Sequence, residues 1–97
     1  MQAGQQSGDS LCSVISKNIS FGDQGSEVKC LQQFLKSQGS DIYPEGLITG
    51  FFGSLTRSAV SRFQEKYKSE ILTPLGLSSG TGFVGNLTRQ KINQLIK

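Results

Sequence analysis

Thr49-Gly50-Phe51-Phe52-Gly53-Ser54-Leu55-Thr56-Arg57 returns as Thr81-Gly82-Phe83-Val84-Gly85-Asn86-Leu87-Thr88-Arg89, shifted by 32 positions (81 minus 49), with seven of the nine residues identical. Val60 and Phe63 are then echoed by Ile92 and Leu95. An internal echo of this kind means that one local structure is built twice. Each copy reads as a glycine-bounded turn that delivers a helix N-terminus. The glycines let the backbone reverse sharply. Side chains alternate along an extended stretch, so only one of the two consecutive apolar residues can point inward. Phe52 and Val84 are expected inside, and Phe51 and Phe83 at least partly outside.

Working outward, Ser54–Tyr67 reads as a helix with Gly53 as its cap and Leu55, Ala59, Phe63 and Tyr67 on one stripe, beside Val60. Asn86–Lys97 reads as the last helix, with Asn86 as cap, Leu87, Ile92, Leu95 and Ile96 apolar, and Lys97 at the negative end of its dipole. Upstream, Ser26–Gln38 carries Val28, Leu31 and Leu35 at helical spacing, with Cys30 and Phe34 flanking and Gly39 as the stop. Gln32, Gln33 and Lys36 are expected to face out. Leu11–Ile19 reads as extended, pinned at its end by Ile19 and Phe21. In the connection before the second helix, Leu47 and Ile48 are expected to touch the core. In Lys68–Gly82, Ile71, Leu72, Leu75 and Leu77 are too apolar for a free loop, and Thr73-Pro74 limits any helix to one turn on either side. The fold expected is all-α: a compact three-helix bundle with short extended pieces in its connections.

Ninety-seven residues make one domain with a modest core. Met1–Ser10 is polar and has none of the regions of a signal peptide. It reads as a disordered tail or the cut end of a longer protein, followed by a single domain over 11–97. No apolar run approaches the ~20 residues that span a bilayer. The net charge of +3 is uneven: residues 1–48 hold three Lys against five acids, residues 49–97 seven Lys and Arg against two. The basic half is the half with the repeat, which suits a surface that meets anions. Cys12 and Cys30 fit no zinc-ligand spacing, and no His is present. In a small secreted domain the pair would be a disulfide, in a cytosolic protein two free thiols. We read a disulfide, because Cys12 otherwise has little to anchor it.

Three blocks at fixed spacing carry a resemblance. They are Gly22-x-x-Gly25-x-x-Val28-x-x-Leu31-Gln32-x-x-Leu35, then Gly50-x-Phe52-Gly53-x-x-Thr56-x-x-Ala59-Val60-x-x-Phe63-Gln64, then Val84-Gly85-x-x-Thr88. From about Ile19 to Leu95 the chain resembles the small three-helix peptidoglycan-binding domain that accompanies many bacterial cell-wall hydrolases. The resemblance implies a non-catalytic module outside the cytoplasm, extracellular, periplasmic or wall-associated. It would hold an attached protein, such as a hydrolase domain, on glycan strands and stem peptides. Such a location permits the disulfide. The link from Leu72 to Gly82 is longer than the family's usual one, and the cysteine pair is not a general family feature.

Catalysis by this chain finds no support. Metal hydrolysis lacks ligands, a Ser or Cys nucleophile lacks an imidazole base, and Glu65 and Glu70 are too isolated for a glycosidase pair. No cofactor is expected, and the chain is expected to be monomeric. For nucleic acid, Arg89, Lys91 and Lys97 make a thin phosphate footprint. The alternative retained is a docking or pro-segment-like module that packs against a partner catalytic domain. The wall-binding site is expected as a shallow groove near the second helix start. Tyr43 and Phe51 would supply surface, Arg57 a carboxylate fork, and Gln32, Gln64 and Thr56 hydrogen bonds. Phe83 and Arg89 would build a related pocket at the last helix.

Overall fold

The computed structural model describes Cys12 and residues 14–96. The Met1–Ser10 tail and Lys97, on which expectations were stated above, lie outside the described residues. Among the described residues four α-helices follow in order: α1 Ser26–Ser37, α2 Ser54–Lys66, α3 Lys68–Ile71 and α4 Asn86–Ile96, with a 3-10 turn at Thr73–Leu75. The three long helices are those the periodicity predicts; the short α3 ends before Thr73-Pro74, and the 3-10 turn contains that pair. Pro74 is tolerated there because the first turn of a helix leaves its N–H groups without intrahelical partners. Two isolated antiparallel bridges, Ile19 with Val84 and Gln24 with Phe51, stand in place of a sheet among the described residues. No described helix is long and apolar enough to cross a membrane.

The core is a single cluster. Phe52, Phe63, Leu31, Leu35, Ile15 and Ile92 are fully buried at its centre. Phe34 meets Phe63 edge-on at 5.3 Å between centroids, the geometry aromatic quadrupoles favour. Ile71 and Leu72 are buried, so α3 closes the core from the side. Lys91 on α4 reaches Glu70 at 2.6 Å and lies over the Tyr67 ring. That ion pair is partly exposed, so its net contribution is small.

The extended segment at 14–24 holds the two repeated turns together. Ile19 exchanges both backbone hydrogen bonds with Val84, Gly22 N–H donates to Phe52 O, and Gly25 N–H donates to Gly50 O. The start of the segment is clamped to α4: Ile15 N–H donates to Asn93 Oδ1 (2.8 Å) and Asn93 Nδ2 donates back to Ile15 O (3.1 Å). Cys12 is disulfide-bonded to Cys30 on α1. A loop of that length contributes about 3 kcal/mol by restricting the unfolded chain.

Several expectations need correction. Gln32 does not face out; it is 1% exposed. It lies four residues after Val28 and one after Leu31, so it belongs to the buried stripe itself. Leu47 and Ile48 are exposed rather than against the core, and so are Phe21, Leu55 and Leu95. Leu55 sits in the first turn of α2, where the helix has not yet reached the core. Asn86 is the first helical residue and not the cap. The Gly85 carbonyl accepts the Arg89 N–H (2.9 Å), as the Gly53 carbonyl accepts that of Arg57 (3.0 Å).

Candidate functional site

Both repeated turns rest on a glutamine. Gln32 on α1 lies under Thr49–Phe51. Its Nε2 donates to Phe51 O (3.1 Å), Thr56 Oγ1 (3.1 Å) and Thr49 Oγ1 (3.3 Å), while its Oε1 accepts the Gly50 N–H (2.9 Å). Gln64 on α2 repeats this under Thr81–Phe83. Its Nε2 donates to Phe83 O (2.8 Å), Thr88 Oγ1 (3.1 Å) and Thr81 Oγ1 (3.3 Å), and its Oε1 accepts from Thr81 N (2.9 Å) and Gly82 N (3.0 Å). A buried backbone group needs a partner, and neither turn belongs to a sheet. The side-chain amide has the donors and the acceptor of a peptide group and stands in for the missing strand. The Thr49 and Thr81 hydroxyls complete the arrangement by accepting the Phe51 and Phe83 N–H groups, each at 3.1 Å. Reading the 32-residue shift backward from the turns would have found the pair, since Val28, Leu31 and Gln32 return as Val60, Phe63 and Gln64.

The two glycines of each turn serve different ends. Gly50 and Gly82 have φ of +83° and +79°, a region that a Cβ makes costly. Gly53 and Gly85 do not adopt such a φ. They leave room for the aromatic ring two residues earlier: a Cβ at Gly53 would lie 3.2 Å from the Phe51 ring, and one at Gly85 would lie 2.9 Å from the Phe83 ring. Each ring folds back over the helix start and stays on the surface. Phe51 and Phe83 are 46% and 45% exposed, while Phe52 and Val84 are fully buried, as alternation predicts.

Beside each ring lies a pocket. The first, about 300 Å³, is formed by Phe51, Leu55, Tyr43, Leu47, Thr49 and Ser54 over a floor of Gln32 and Thr56. The second, about 310 Å³, is formed by Phe83, Leu87, Leu75, Ile71, Leu72 and Asn86 over a floor of Gln64 and Thr88. Residue for residue, most of the lining is related by the 32-residue shift. The floors have little polarity to offer, because the glutamine amides and threonine hydroxyls are spent on the turns. Tyr43 is buried and its hydroxyl donates to Leu47 O (2.6 Å), so it contributes an edge of ring to the first pocket. The pockets are therefore apolar cups with hydroxyl and amide groups at the rim.

Of the residues singled out from the sequence, Gln32, Tyr43, Phe51 and Thr56 meet at the first pocket, and Gln64 and Phe83 at the second. Arg57 and Arg89 line neither. The Arg57 guanidinium stacks 4.6 Å over the Phe21 ring. Its stem fills the space a Cβ at Gly82 would need, 2.5 Å from Arg57 Cγ. The Arg89 Nε donates to Asn18 Oδ1 (3.0 Å). Leu55 and Leu87 are pocket residues that the sequence reading assigned to the core. Their signal was their place in the first helical turn, directly after the capping glycine. Among the described residues no cluster of three or more His, Cys, Asp or Glu could hold a metal ion.

The profile of the family described as "Putative peptidoglycan binding domain" matches residues 24–92, which span both glutamines, both turns and both pockets. No curated protein sequence matches the chain. Among solved structures, the crystal structure of the SleB N-terminal domain is similar at 31% identity with a TM-score of 0.66, the match covering 87% of this chain and 99% of that one. The chain belongs to the peptidoglycan-binding domain family and is a non-catalytic peptidoglycan-binding module.

Proposed function

We propose that the module holds an attached protein, such as a cell-wall hydrolase, on the bacterial wall by seating one glycan–peptide unit in the pocket at the start of α2. The observation that carries this reading is the outward Phe51 ring, kept on the surface by Gly53 and backed by Leu55 over a floor with no free polar groups. Such a cup suits a group with one apolar face and polar edges. An N-acetylated pyranose offers a C–H face and an acetamido methyl, and its hydroxyls meet the rim at Ser54. A free carboxylate does not suit the cup, because no cation lines it. Arg57 and Arg89 would act outside the pockets, as peripheral contacts for stem-peptide carboxylates. Contacts between exposed charges are weak and screened by salt. The chain acts as a monomer in this reading, at a wall-associated location outside the cytoplasm.

The experiment is co-sedimentation with insoluble sacculi. Phe51→Ala should lower the bound fraction about tenfold in affinity, as expected for losing one well-placed aromatic contact. Arg57→Ala should weaken binding about twofold, and only at low salt. The reverse ranking would move the seat from the pocket to the arginine surface.

A further inference from the structure

We propose that the pocket at the start of α4 is a second seat for the same kind of glycan–peptide unit, so that one chain binds two. This rests on the function proposed above and extends it. The structural roles explain why the glutamine, the threonines and the glycines recur, since each is used inside the fold. They do not explain the outward positions. The inward residue differs between the copies, Phe52 in one and Val84 in the other, and both are fully buried. The outward residue does not differ: it is Phe in both, with nearly the same exposure, and it is followed in both by a leucine at the rim, Leu55 and Leu87.

Each ring packs on the helix start with one side and leaves the other beside an apolar cup, and a contiguous exposed apolar patch of this kind marks an interaction site. What the copies keep in common beyond the framework is therefore what they present to the outside. Both cups are of nearly equal volume, both have floors whose polar atoms are already satisfied, and both carry a hydrogen-bonding rim residue at the same place, Ser54 and Asn86. They differ on the far wall. Tyr43 and Leu47 close the first, whereas Ile71, Leu72 and Leu75 close the second. The long Lys68–Gly82 connection supplies that aliphatic wall. The second cup is the more apolar, so it favours the same methyl-bearing, C–H-faced sugar and is less dependent on hydrogen bonds. A ligand built from repeating units supplies a second copy of that group without any further partner.

The probe is a soluble disaccharide-tetrapeptide released from purified sacculi and titrated into the whole chain, with backbone amide resonances followed by NMR. In the wild type, the Gly50 and Phe51 resonances and the Gly82 and Phe83 resonances should both shift to saturation. Phe83→Ala should weaken the response at the second turn about tenfold and leave the first within about twofold. Phe51→Ala should do the reverse. Retained dispersion of the remaining resonances establishes that each variant is folded. Shifts confined to the first turn, with Phe83→Ala without effect, would overturn the second seat and leave the first standing. No response at either turn would overturn both.

Discussion

Replacing Gln64 by leucine should destabilise the domain by about 3–5 kcal/mol, although leucine is close to it in size and more apolar. The reason is what the substitution leaves behind. The Gly82 N–H, the Phe83 carbonyl and the Thr88 hydroxyl are held by the Gln64 amide, which is itself almost fully buried. A buried polar group without a partner costs roughly 1–3 kcal/mol, and two or three such groups exceed what the added apolar surface returns. Total stability for a domain of this kind is of the order of 5–15 kcal/mol, so much of it is at stake. Gln32→Leu should act alike through Gly50, Phe51 and Thr56. Denaturant unfolding checks both. A loss below about 1 kcal/mol would mean that the amides do not carry the turns.

The second large effect is expected at a glycine that adopts no unusual backbone angle. A Cβ at Gly80 would lie 2.5 Å from the Ser61 carbonyl oxygen and 2.7 Å from Ser61 Cα. Both belong to the backbone of α2, which cannot retreat because Ala59, Val60 and Phe63 are fixed in the core. In Gly80→Ala the loop must lift instead. It would take Thr81 and Gly82 away from Gln64 and break the Gly80 N–H contact to Glu65 (2.9 Å). Overpacking costs about 1–3 kcal/mol and the disturbed hydrogen bonds add to it, so about 3 kcal/mol is expected in all. For a domain near this size that lowers the melting temperature by roughly 10–20 °C. Gly76 is the control. Its φ is +73° but nothing lies within 4 Å of its Cβ position, so Gly76→Ala should cost only the about 1–2 kcal/mol of a left-handed alanine. Equal melting temperatures for the two variants would contradict the packing argument.

These two residues show where the sequence was legible and where it was not. Helix positions followed from periodicity, because Val28, Leu31 and Leu35, or Ala59 and Phe63, leave one face that must be covered. The inward and outward members of each turn followed from alternation alone. The polarity of Gln32 points to solvent, whereas the structure buries it. Its position in the apolar stripe, and its return at Gln64, were the better signals. Leu55 is the opposite case: it fits the stripe but sits where the helix has just begun. The need for glycine at Gly80 could not be read at all, since it depends on how close the loop comes to α2. The arginines were placed on the correct helical turns, but their direction depends on Phe21 and Asn18, which reach them only through the tertiary fold.

In the proposed reading, the outward rings at the two turns are what the module offers to the wall. The direct measurement is sedimentation of the folded chain with purified sacculi, comparing the wild type with a variant carrying both Phe51→Ala and Phe83→Ala. The wild type should pellet with the sacculi, at high as well as low salt, and the double variant should stay in the supernatant while keeping its cooperative thermal transition. A double variant that pellets as well as the wild type would contradict that reading.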